Sequence, residues 1–281
     1  MSHFRVTETR EKSGEHNYIV IRPKGIPSRE VRVFIHGAAG YASYLCDQMR
    51  FAAERGAVCI APELPCHGDR AEGKVCKLSV HDYVAYVREF ITTIVHPHYE
   101  PQVLTLIGHS MGGLIAQKVA EGGLVNKMVL VTPAPPKGVR YMPGRIFIPS
   151  FEDLMSLFRL LLFRQPFTPS RNFIASLFAD QELSAPMIDT WVKGRVAGES
   201  LVALSELALS SIEVDHRLIT APTLVVGAAK DVVIHPDVAI NIAKYLKAEL
   251  LMLPHLGHMC VFEHGWETTA SHIDAWLTKT S

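Results

Sequence analysis

Apolar residues gather in short blocks along the chain, with amphipathic stretches between them. "YIVIRP" and "VRVFIHG" lead into a helical pattern over 42–54, and "AVCIAP" into a longer one over 80–95. "VLTLIG" runs into a helix beginning at Met111, and "KMVLVTP" closes the first half. Further on, "TLVVGA", a helical pattern over 237–246, "ELLMLP" and a last helix over 266–278 complete the series. Strands alternating with helices predict an α/β fold with a mostly parallel sheet covered on both faces. The blocks lack in/out alternation, as expected of strands buried on both sides.

Residues 134–211 break this rhythm. The Pro/Gly-rich "PAPPKGVRYMPG" is followed by "FEDLMSLFRLLLF", "SRNFIASLFAD", "APMIDTWVKGRV" and "ESLVALSELAL", which read as four helices with no convincing strand. A helical insertion between two strands of a parallel sheet sits at the carboxyl edge, where ligands of open α/β sheets bind. The expected organisation is a core of 1–133 and 212–281 with a helical cap of 134–211 acting as a lid. With 281 residues the chain has room for one large α/β domain carrying such an insertion.

Candidate chemistry begins at "LTLIGHSMGGLIAQ", where an apolar strand passes into a helix through glycines flanking a serine. So abrupt a turn strains its central residue, and small neighbours let the chain pass without collision. The side chain of Ser110 is then held above the sheet, with the following backbone N–H pointing the same way. Gly113 would allow close packing of helix on strand. The plain alternative is a serine that only caps the helix.

A serine hydroxyl is a weak nucleophile at neutral pH and needs a base, with a third group to orient that base. "TLVVGAAKDVVIHP" puts Asp231 just past an apolar strand, and "ELLMLPHLGHMCVF" puts His258 just past the next. Asp215 and Asp237 compete as the acid, but the first precedes a strand and the second reads as a helix start. His255 competes as the base, although Gly257-His258 has the form of a tight presenting turn. His255, His258 and His264 lack the carboxylate or cysteine partners of a metal site. Negative charge developing on a carbonyl oxygen also needs donors. "VFIHGAAGYAS" supplies a turn of small residues straight after a strand, so the Ala38 and Met111 amides are the candidate oxyanion hole. His36 is expected to be structural, bonded to loop backbone.

The segments "FIHGAAG", "APELPCHGDR", "LIGHSMGG", "APTLVVGAAKDVV" and "LPHLGHM" together resemble the α/β-hydrolase superfamily, in its branch with a helical cap. The resemblance spans roughly residue 31 to the C-terminus, the cap matching only in position and helical character. It implies Ser110 as nucleophile, His258 as base and Asp231 as its partner, with no metal or organic cofactor. One departure stands out. The loop that often reads P-G-H-G in the family is Pro65-Cys66-His67-Gly68 here, so Cys66 must strain or re-route a turn built for glycine. As a side chain it is expected to be a small packed residue, although a thiol there could be redox-sensitive.

The reaction expected is cleavage of a small to medium, largely apolar carboxylic ester or thioester through an acyl-enzyme on Ser110. Rival readings are C–C bond hydrolysis or a lyase reaction on the same scaffold, and a non-catalytic small-molecule receptor. Haloalkane dehalogenation is disfavoured, because that chemistry uses a carboxylate nucleophile. Phe151, Leu154, Phe158, Leu161, Phe163, Phe167, Phe173 and Phe178 are expected to form the cap core, those facing the sheet lining the pocket. Arg140 and Arg145 could meet an anionic substrate group, or simply be solvated.

Charge changes the picture only by exclusion. Lys plus Arg and Asp plus Glu are equal at 28 each, so no overall field would gather nucleic acid. The polar start "MSHFRVTETREKSGEHN" has no apolar h-region, and "LMSLFRLLLF" is too short for a membrane span and contains Arg159. Five cysteines without CxxC spacing suggest no disulfide framework, and a reducing, cytoplasmic setting is the simplest fit. The expected partner is a small-molecule substrate. An apolar face left open on the cap would suit a homodimer.

Overall fold

Each apolar block predicted as a strand is one. The computed structural model describes residues 4–25, 29–68, 77–141 and 199–280, with Phe151, Leu154, Met155, Phe158 and Leu177 besides. Its strands are β1 (Val6–Ser13), β2 (His16–Pro23), β3 (Glu30–Ile35), β4 (Val58–Pro62), β5 (Val103–His109), β6 (Lys127–Val131), β7 (Thr223–Ala228) and β8 (Glu249–Leu253). They form one eight-stranded sheet in the order β1-β2-β4-β3-β5-β6-β7-β8. β1 pairs antiparallel with β2, and β2 with β4; every other pairing is parallel.

β1 was not expected. Its sequence, "VTETREKS", carries no apolar block, because it lies at the sheet edge, half exposed, and needs no hydrophobic face of its own. It is held by full pairing with β2 from Val6↔Pro23 to Ser13↔His16, across a turn in which Gly14 takes φ 56°.

Among the described residues the helices of eight residues or more are α1 (Cys46–Ala53), α2 (Val80–Phe90), α3 (Met111–Ala120), α4 (Leu201–Ala208), α5 (Pro236–Leu246) and α6 (Trp266–Lys279). A 3₁₀ turn, Ala42–Leu45, leads into α1, and a π turn, Ile91–Val95, extends α2. Strand alternation divides the core into two layers. Val31, Val33 and Ile35 of β3 face α2, α3 and α5, while Phe34 faces α1 and α6. Arg32 points to the second side, where it is buried against Glu30 (2.7 Å) and Asp274 of α6 (2.9 Å).

Of the four helices expected over the insertion, the last is α4; the other three fall outside the described residues apart from single positions. α4 is tied to the sheet domain, for Glu206 accepts the Val80 N–H at the start of α2 (2.7 Å). A carboxylate is well placed at that positive helix end. The Lys137 N–H donates to the Ile212 carbonyl (2.7 Å), bringing the two ends of the insertion together. Phe151, Leu154 and Phe158 are exposed, so these three are neither cap core nor pocket lining as expected. Leu161, Phe163, Phe167, Phe173 and Phe178 lie outside the described residues.

Cys66 corrects a second expectation. It is disulfide-bonded, its partner lying outside the described residues, whereas Cys46, Cys59 and Cys260 are free and buried. Spacing along the chain cannot reveal a lone bridge, because bridging depends on how closely the Cα atoms approach in the fold. A bridge at Cys66 does not point to a reducing setting. Cys66 strains its turn, at φ 65°, a left-handed conformation costing a non-glycine residue about 1–2 kcal/mol. Among the described residues, no helix is long and apolar enough to cross a membrane.

Candidate active site

Ser110 stands between β5 and α3 at φ 56° and ψ −120°. The glycines around it are required by contact. A Cβ on Gly108 would strike the backbone of Gly112, and one on Gly112 would strike the carbonyls of Ile35 and His36 at the end of β3. A Cβ on Gly113 would come within 2.7 Å of Pro133. The backbone is fixed as well, with the Ser110 N–H donating to Val131 (3.0 Å) and the Ser110 carbonyl accepting from Gly113 (2.9 Å) and Ala134 (3.0 Å).

Three side chains from three strand ends meet here. His258 Nε2 lies 3.0 Å from Ser110 Oγ, and His258 Nδ1 lies 2.9 Å from Asp231 Oδ2. Asp231 Oδ1 accepts from the Val233 and Ile234 amides, each at 2.8 Å, so the carboxylate cannot swing away. His258 and Asp231 are buried; Ser110 is half-buried and faces the cavity. The competitors are engaged elsewhere. Asp215 pairs with Arg217 (2.8 Å), Asp237 lies beside His235 (3.5 Å), and His255 is exposed. Among the described residues, no group of three or more His, Cys, Asp or Glu could hold a metal ion.

The turn after β3 carries Ala38. Its neighbours are pinned: the Gly37 N–H donates to Tyr44 Oη (2.5 Å) and the Ala39 N–H to Glu199 Oε2 (3.1 Å). Neither the Ala38 nor the Met111 amide makes a hydrogen bond among the described residues. A cavity of about 310 Å³ opens over Ser110, lined largely by apolar groups including Tyr141, Leu177, Leu204, Leu207, Val233, Ile234 and Met259. No Lys or Arg is among the described lining residues. Arg140 is exposed and off the cavity, and Arg145 lies outside the described residues.

The sequence profile of the Alpha/beta hydrolase family matches residues 33–272. The chain belongs to that family. The fold of this alpha/beta hydrolase is similar to that of a lipase-esterase related protein from Clostridium acetobutylicum ATCC 824, with TM-score 0.69 and 19% identity over 93% of this chain and 99% of that one. It is also similar to 2-hydroxy-6-oxo-6-phenylhexa-2,4-dienoate hydrolase from Rhodococcus sp. strain RHA1, with TM-score 0.69 and 22% identity over 96% and 97% of the two chains. The enol-lactonase from Burkholderia xenovorans LB400 superposes with TM-score 0.71 and 14% identity, covering 94% of this chain and 96% of that one. At these identities the likeness is one of fold. No curated protein matches the sequence.

Beneath the site of this alpha/beta hydrolase lies a polar layer that the motifs do not reveal. His109 Nε2–H donates to the His258 carbonyl (2.9 Å), and His109 Nδ1 accepts from Tyr44 Oη–H (2.8 Å), these roles being assigned from the partners. Tyr44 therefore joins the turn after β3 to the loop of the base. The Thr132 hydroxyl donates to the same His258 carbonyl (3.3 Å). His36 bonds loop backbone as expected, Nδ1–H donating to Gly37 (2.9 Å) and Nε2 accepting from Leu64 (3.1 Å). On the far side, Glu199 accepts from Tyr83 Oη–H (2.7 Å) and the Ser200 N–H (2.7 Å) and lies 3.0 Å from His67 Nε2. His36, His67 and His109 stand in the quoted motifs, but their partners Tyr44 and Glu199 do not.

Burial sets the charge states. His36 and His109 are both pushed down to about 3, by loss of solvent first and by neighbouring histidines second. Burial also opposes charge on His67, but the Glu199 carboxylate outweighs it and raises the ring above its ordinary value. Burial works to raise Glu199, and His67 with the other donors brings it down to about 2.

These shifts predict an acid sensitivity with a definite window. His36 and His109 have folded values below the unfolded 6.5, so the unfolded chain takes up protons that the folded one refuses. Their stabilisation is complete above about pH 6.5 and is lost as the pH falls toward 3. His67 runs the other way, but its gain is complete once the pH has dropped to 6.5; Glu199 begins to lose its share only below about 4.5. Between pH 6.5 and 4.5 the two neutral histidines should each cost about 2 kcal/mol. Urea midpoints across this range should fall steeply, and His109→Gln should flatten the slope by about half. A slope unaltered by the substitution would remove His109 from this account.

Proposed function

We propose that the protein is a serine hydrolase that cleaves small to medium, largely apolar carboxylic esters or thioesters through an acyl-enzyme on Ser110. The observation that carries this reading is the unbroken alignment Ser110 Oγ, His258, Asp231, at 3.0 and 2.9 Å. Ser110 Oγ attacks the acyl carbonyl while His258 Nε2 takes its proton. Asp231 holds the imidazole with Nδ1–H toward itself and stabilises the imidazolium. The oxyanion is received by the unbonded Ala38 and Met111 amides. His258 then protonates the leaving alcohol or thiol, and water repeats the attack on the acyl-enzyme.

The cavity favours neutral, apolar acyl groups. Its volume of about 310 Å³ lies at the small end for ligand sites, and its described lining offers no cation. The dienoate named for the Rhodococcus hydrolase carries a carboxylate, and the absence of a cation among the described lining residues argues against such an acid here. The segment 134–211 is read as a lid over the core of 1–133 and 212–281. Support comes from Leu177, Leu204 and Leu207, which line the cavity from within it.

A fluorophosphonate probe should label the protein, with the adduct mapping to the peptide containing Ser110. On 4-nitrophenyl esters of increasing chain length, kcat/KM should peak at a short to medium chain. A preference for acetate over every longer acyl chain would count against an apolar pocket, and absence of labelling would favour the receptor reading.

A further inference from the structure

Glu199 lines the cavity, and a buried carboxylate there invites the reading of a substrate contact. Its hydrogen bonds exclude that. Oε1 accepts from Tyr83 Oη–H (2.7 Å) and the Ser200 N–H (2.7 Å), and Oε2 accepts from the Ala39 N–H (3.1 Å) and His67 Nε2–H (3.0 Å). Four donors converge on two oxygens, which fills the lone pairs of a carboxylate. The partner is charged by the same logic. His67 Nδ1 faces the Pro65 carbonyl (2.9 Å) while Nε2 faces Glu199, so both ring nitrogens meet acceptors and both carry hydrogen. His67 is an imidazolium, and the two residues form an ion pair that is almost fully buried.

The structure assigns this pair to positioning the oxyanion loop: Glu199, held by His67, grips the Ala39 amide so that the neighbouring Ala38 amide stays aimed at the reacting carbonyl. The assignment rests on the serine-hydrolase reading and deepens it. Ala39 takes φ 52°, a left-handed conformation that a non-glycine residue does not keep without support. The bond to Glu199 is that support. On the other side of Ala38, the Gly37 amide is held by Tyr44. The peptide between them is the one whose N–H is left to receive an oxyanion. Glu199 reaches the loop from the far end of the 134–211 segment, 160 residues on in the chain. The two ion-paired charges compensate one another, so the grip is made without leaving a lone negative charge behind a developing oxyanion.

The test is a kcat-against-KM split on 4-nitrophenyl butyrate, with active sites counted by fluorophosphonate titration. Glu199→Ala should lower kcat by about 10- to 100-fold, as a displaced donor does, with KM within about twofold. Glu199→Gln keeps an oxygen for the Ala39 N–H and should recover at least a quarter of the lost activity on a logarithmic scale. His67→Gln, which strips Glu199 of its cation, should show the same kcat-only loss and carries the test if Glu199→Ala does not fold. A wild-type kcat per titrated site in either variant overturns the assignment, and so does a raised KM at unchanged kcat, which marks a substrate contact. Failure of the unaltered protein to label overturns the hydrolase reading itself, a different result from equal labelling with unequal turnover.

Discussion

Ser110→Ala is expected to lower kcat on ester substrates by on the order of 10⁶-fold and to abolish fluorophosphonate labelling, with the fold intact. The loss is large because the rest of the machinery has nothing to work through once Oγ is gone. Stability should hold, because the bonds that fix this turn are made by backbone. The Ser110 amide donates to Val131, and its carbonyl accepts from Gly113 and Ala134. Ser110→Gly adds a sharper result. At φ 56° and ψ −120° a side chain costs roughly 1–3 kcal/mol that glycine does not incur. The glycine variant should therefore be inactive and yet melt about 2 °C or more above the parent. Residual labelling of the alanine variant at the parent's rate would place the nucleophile elsewhere.

Asp231→Asn should lower kcat by about 10⁴-fold with KM little changed. Two backbone amides at 2.8 Å require an oxygen at Oδ1, so the introduced amide has to turn its NH₂ toward His258 Nδ1. The imidazole must then accept at Nδ1 and carry its hydrogen on Nε2, facing Ser110 Oγ. In that tautomer it cannot take the serine proton. The substitution changes a protonation pattern without moving the loop, so an unchanged melting temperature is the control, while fluorophosphonate labelling, which needs the same proton transfer, should slow along with kcat. A loss of less than about tenfold would mean that another group orients the base.

Much of this was legible in the sequence because the parallel strands are buried on both faces and announce themselves as apolar blocks. Ser110, Asp231 and His258, which the structure brings together, could be picked out as candidates because each follows such a block, where a parallel sheet presents its loops on one edge. β1 was invisible for the opposite reason, since "VTETREKS" gains its place by pairing with β2 along an exposed edge. The polar layer was illegible in another way. Tyr44 with His109, and Ala39 with Glu199, meet across 65 and 160 residues of chain, and no local pattern encodes such meetings.

Gly112, seated against the carbonyls of Ile35 and His36, welds the first turn of α3 to the end of β3. Hydroxyl and amide loop are thereby carried on one rigid bracket that tolerates not a single added methyl group. Diversification of what this enzyme accepts is consequently steered away from the bracket and toward its removable neighbours, the Leu204–Leu207 face and the Val233–Ile234 loop. An engineer seeking a new substrate should randomise those four positions and leave the hinge of serine and glycine alone.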